Sequence, residues 1–174
     1  MNLDPNVATV IAIAIALVAM VWDLATRRIP NLLTSGAALA ALLVHGYVGS
    51  WSGAGMALAG WLVGVAFFLP FFVLGGMGGG DVKLLAALGA WLGPWMIVWV
   101  ALYSSIAGGV MALLVGAFAG YLRQAVTNIW SLMIQWHLGG VRPVTEMTLA
   151  SNRGPRLAYA VPVFAGLMVT LWLR

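Results

Sequence analysis

Residues 7–24 read VATVIAIAIALVAMVWDL, an apolar run unbroken by charge until Asp23. A helix needs about 20 such residues to cross roughly 30 Å of hydrocarbon. Five further runs follow, roughly Leu32 to Val48, Met56 to Leu74, Val82 to Gly93-Pro94, Trp95 to Tyr121 and Arg156 to Leu173. The fourth is short, and Pro94 leaves a turn or a kink open. Of 174 residues, 63% are hydrophobic and 7% charged, where a soluble domain carries about 25% charged residues. Water is therefore not the main solvent. The reading is an all-α, polytopic membrane bundle of about six transmembrane helices, with residues 1–174 as one membrane-embedded domain.

The connections are informative. After Asp23 come Arg27, Arg28 and Ile29-Pro30-Asn31. Proline disfavours helix at the residue before it, so the first helix is expected to stop near Arg28. Gly49 to Gly55 is a turn-rich, uncharged stretch, and GGMGGGD at residues 75–81 is the most irregular segment of the chain. Residues 122–155 form the longest polar connection. Within it Gln124, Thr127, Asn128, Ser131 and Gln135 recur at spacings of three and four, which places them on one helical stripe. An amphipathic helix over roughly 123–138 follows, lying in the membrane interface or packed on the bundle. The leading MNLDPN lacks the basic stretch of a cleaved signal peptide, so the first run is expected to be a retained span.

The formal net charge of +4 comes from eight basic residues scattered at span ends, with no basic face of the kind that binds nucleic acid. If the loop after the first span is cytoplasmic, Arg27, Arg28, Lys83, Arg123, Arg142, Arg153 and Arg156 share that side and Arg174 alone does not. The positive-inside rule then sets the orientation, with both termini extracytoplasmic. There is no cysteine, which excludes disulfides, thiolate nucleophiles and Cys-based zinc sites. His45 and His137 fall on opposite sides, so no metal site is expected, and no cofactor is implied. Gly116-x-x-x-Gly120 and Ser104-Ser105 read as helix-packing residues.

Four acidic residues remain. Asp4 and Glu146 are expected to be solvated. Asp23 closes an apolar run and Asp81 opens one. Each has a bland reading: Asp23 paired with Arg27 four residues on, and Asp81 at a helix N-terminus. As a pair they share one face and one depth. At about 4 Å and an effective dielectric near 20, two carboxylates repel by roughly 4 kcal/mol, or about three pKa units. A single shared proton is then the neutral-pH state, as in aspartic proteases. Gly78, Gly79 and Gly80 next to Asp81 permit close backbone approach. The segment is not a phosphate-binding loop, since Asp81-Val82-Lys83-Leu84 replaces the required Gly-Lys-Ser/Thr. A competing reading is a proton- or ion-coupled transport subunit using the two aspartates.

Gly78-Gly79-Gly80-Asp81-Val82-Lys83-Leu84 resembles the GxGD-x-K motif of type IV prepilin peptidases. The segment from Asp23 through Ile29-Pro30-Asn31 resembles that family's first motif. The resemblance implies an aspartic endopeptidase in the inner membrane, without metal. Its catalytic residues would be Asp23 and Asp81, with the active site facing the cytoplasm. It implies a prepilin or pseudopilin partner whose short basic leader is cut after glycine. Lys83 would tune or position the site, and Arg27, Arg28, Pro30 and Asn31 would shape the adjoining loop. Many members add a cysteine-rich cytoplasmic domain and methylate the new terminus. This chain lacks that domain and resembles the short members associated with Flp-type pili, so methyltransferase activity is not implied.

Overall fold

The computed structural model describes residues 3–118, 120, 127, 130, 131, 134 and 157–173. Helix α1 (Pro5–Thr26) begins at Asp4, whose side chain accepts a hydrogen bond from the Asn6 N–H at 2.8 Å. That satisfies one of the orphan donors of a helix start, so Asp4 has a capping role. Arg27 ends α1 in the left-handed region at φ 55°, its N–H donating to the Asp23 carbonyl. Pro30, extended at ψ 131°, then starts α2 (Asn31–Val73). The first helix thus stops where the proline predicts.

Helix α2 holds both the second and the third apolar run. The expected turn-rich stretch from Gly49 to Gly55 is reduced to one residue. Ser50 alone leaves helical geometry, at φ 54° and ψ −149°. This suffices to reverse the chain. The first limb runs along α3 (Gly79–Leu92) in one direction, with Asn31 beside Lys83 and Ala37 beside Trp91. The second limb runs the other way, with Gly60 against Gly89, Gly64 against Ala86 and Phe72 against Gly79. Gly53 lies directly on the His45 carbonyl, which leaves room there for no side chain.

Gly93, at φ 83°, ends α3, and Pro94 opens α4 (Pro94–Phe118). Pro94 therefore marks a turn. Proline suits the first helical position because its missing N–H would be unsatisfied there anyway. The last helix, α5 (Ala160–Trp172), carries Pro162 in its first turn, where proline is tolerated for the same reason.

Among the described residues all five of these elements are helices, with no strand. Helix α3 lies at the centre: Val82 and Leu84 through Trp91 are buried, and only Lys83 reaches outward from that run. A helix apolar all round is a buried helix. Helices α1, α2 and α4 pack against it, and α5 packs on α4 and α1. Large apolar side chains such as Val10, Leu43 and Leu113 are exposed on the outside, a surface suited to lipid. Three helices, α1, α2 and α4, are long and apolar enough to cross a membrane. The expected count of about six spans is thus not established. Of residues 122–155 only Thr127, Trp130, Ser131 and Ile134 are described, all helical, with the Ser131 hydroxyl donating to the Thr127 carbonyl at 2.9 Å. The remainder of the expected amphipathic helix, with Glu146 and His137, lies outside the described residues.

Candidate functional site

The buried face of α1 is a stripe of small residues, Ala8, Ala12, Ala16 and Ala19, and its next member is Asp23. Spacings of three and four keep these side chains on one side of a helix. Alanine lets α1 approach its neighbours closely, so Asp23 is carried inward at the end of a tight contact and is only 6% exposed. The Ala160 N–H, at the head of α5, donates to its Oδ2 at 3.3 Å. The free N–H groups and positive end of a helix favour a carboxylate there.

Asp81 occupies the first turn of α3, three residues after the Gly78 cap. Its carboxylate accepts from the Gly78 N–H and from its own N–H. This is the reach-back half of a capping box, so the bland expectation for Asp81 holds as well. Asp81 stands ahead of the apolar part of α3 and outside the three helices long enough to cross a membrane. Burial first, and then the negative charge of Asp23, push its carboxyl up to about 7. The two aspartates, 58 positions apart in sequence (81 − 23), are thus electrostatically coupled at one end of the bundle.

The two motif segments are fastened together. The Lys83 ammonium donates to Asn31 Oδ1 at 2.9 Å. A Cβ on Gly80 would stand 3.2 Å from Ile29 Cβ, so glycine lets the loop after Asp23 settle onto the loop before Asp81. Gly78 contributes its N–H, and Gly79 lies against the Phe72 ring. Pro30 shapes the site indirectly by setting the start of α2. Arg27 and Arg28 are exposed at the loop beside Asp23.

Two residues escaped the sequence reading. Ala160 meets Asp23 through its backbone, and Tyr159, one position earlier, has its phenol within electrostatic reach of Asp81. Pro162 was the available signal. Proline in a first turn locates a helix start, and with it the free N–H groups, but nothing in the sequence says which carboxylate they meet. A cavity of about 270 Å³ at the opposite end of the bundle, lined by Thr9, His45, Met56 and Trp91 among others, shares no residue with the aspartates.

Comparison with known proteins agrees with the motif reading. Residues 10–113 match the type IV leader peptidase family. No curated protein and no solved structure matches the chain. The matched segment includes Asp23, Asn31, Asp81 and Lys83, and so every group that ties the two motifs together. Spanning more than half of the 174 residues, it shows that the chain belongs to the type IV leader peptidase family.

Proposed function

We propose that this membrane peptidase is an aspartic endopeptidase whose catalytic residues are Asp23 and Asp81. Its substrate is a type IV, Flp-like prepilin, cut after the glycine that ends a short basic leader. The coupling of two carboxylates from α1 and α3 at one end of the bundle carries this reading.

The division of labour follows from the surroundings. Asp23, which receives the Ala160 N–H at the head of α5, is assigned the part of the base. Asp81, partly buried beside the Asp23 charge, keeps the shared proton. Asp23 takes a proton from the attacking water. Asp81 polarises the scissile carbonyl and protonates it as the tetrahedral intermediate forms. A glycine at the cleavage point weakens the substrate helix by about 1 kcal/mol relative to alanine, which frees the carbonyl for attack.

The distribution of Arg and Lys supports an inner-membrane placement with the aspartates at the cytoplasmic face and both termini outside. The whole chain then acts as a single membrane domain. Purified protein incubated with a prepilin tests the assignment. Asp23→Asn and Asp81→Asn are each expected to abolish leader removal while the protein stays inserted. Near wild-type processing by either variant would refute it.

A further inference from the structure

We propose that Tyr159 is a positioning residue: its phenol, tied to Ser105 of α4, sets the head of α5 so that the Ala160 N–H meets Asp23. The proposal rests on the reading of Asp23 and Asp81 as the catalytic pair.

The Tyr159 ring is held on two sides. It meets Phe68 of α2 edge-on, with centroids 5.7 Å apart and planes at 79°. Phe68 is fully buried and cannot yield easily. On another side lies Gly108 of α4, where a Cβ would stand 2.5 Å from the phenol oxygen. A side chain at Gly108 would push this ring aside. The phenol also hydrogen-bonds the Ser105 side chain. Ser105 already gives its one hydroxyl hydrogen to the Ala101 carbonyl at 2.8 Å, so it can only accept from Tyr159. Donor, ring face and ring edge together define the place of Tyr159.

What that place controls is the next residue. The Ala160 N–H reaches Asp23 Oδ2 at 3.3 Å, the long end of the range for such bonds. A retreat of α5 by about 0.5 Å would end it. The Tyr159 carbonyl also accepts from the Val163 N–H of α5 at 3.2 Å, so a shift of the residue is passed to the helix head. Small misplacements of catalytic groups are felt in turnover more than in substrate binding.

The experiment compares wild type, Tyr159→Phe, Ser105→Ala and the double variant on one purified prepilin, with kcat, KM and the detergent melting temperature read for each. Each single change is expected to lower kcat about fivefold to tenfold, the loss of roughly one hydrogen bond. KM is expected to stay within about twofold. The double variant is expected to be no worse than the singles, because both remove one bond. Additive losses, an unchanged kcat, or losses that only follow the melting temperature would overturn the proposal. If Tyr159→Phe does not fold, Ser105→Ala alone decides it by the same kcat and KM criteria. Asp23→Asn in the same assay separates the two readings. Activity there sinks the catalytic pair itself, whereas its loss beside a silent Tyr159→Phe sinks only the role of Tyr159.

Discussion

Asp81 has two reasons to keep a proton near neutral pH, its burial and the charge of Asp23. Turnover by a carboxylate pair needs one proton between them. With Asp81 titrating near 7, the active form is present below that pH and is lost as pH rises through it. The pH–rate profile for kcat/KM is expected to fall on its alkaline side near pH 7. A kcat/KM still rising toward pH 9 would contradict the assignment of the proton to Asp81. The same shift bears on stability. A carboxyl whose folded pKa is raised above its unfolded value supports the fold at low pH, and that support is lost as pH rises through about 7. Asp81→Asn is accordingly expected to melt no lower than wild type at pH 8 while losing cleavage. A marked drop in melting temperature at that pH would show that Asp81 is held for the fold instead.

Among the elements, α2 depends most on a single residue. Ser50 sits at φ 54° and ψ −149°, a region that only glycine occupies without strain. The reversal it makes lets both limbs of α2 lie on α3. Ser50→Gly is expected to stabilise the protein by about 1 kcal/mol, and Ser50→Val to destabilise it by at least as much. Thermal melting in detergent measures both, and an unchanged or lowered melting temperature for Ser50→Gly would refute the strain. Helix α1 shows the complementary case. Its alanine stripe asks nothing unusual of the backbone, yet it brings Asp23 to the buried face by spacing alone.

For the molecule as a whole, the central helix matters most. Gly60 and Gly89 face each other so closely that a Cβ on either would run into the backbone of the other helix. The contact sets the distance between α2 and α3, and through α3 the place of Asp81. Gly89→Val is expected to cost about 3 kcal/mol or more, since backbone has to move to admit it. Cleavage and thermal stability should fall together, unlike Asp81→Asn, in which only cleavage falls. Wild-type melting for Gly89→Val would show that the crossing is looser than described.

Much of this was legible in the amino-acid sequence. Low charge and long apolar runs dictate helices in lipid, because a chain without water around it must satisfy its own backbone. Pro30, Gly93-Pro94 and the glycines before Asp81 marked element boundaries, since proline and glycine act through local backbone geometry. The two motifs singled out Asp23 and Asp81 for the same reason: the decisive residues are close in sequence. Other features depended on the tertiary structure. The reversal at Ser50, the Lys83–Asn31 bond, the Ala160 N–H on Asp23 and the clamp around Tyr159 join residues far apart in the chain or turn on a dihedral that no residue type dictates. Such contacts are set by how the helices pack around α3, and packing depends on all the surfaces at once.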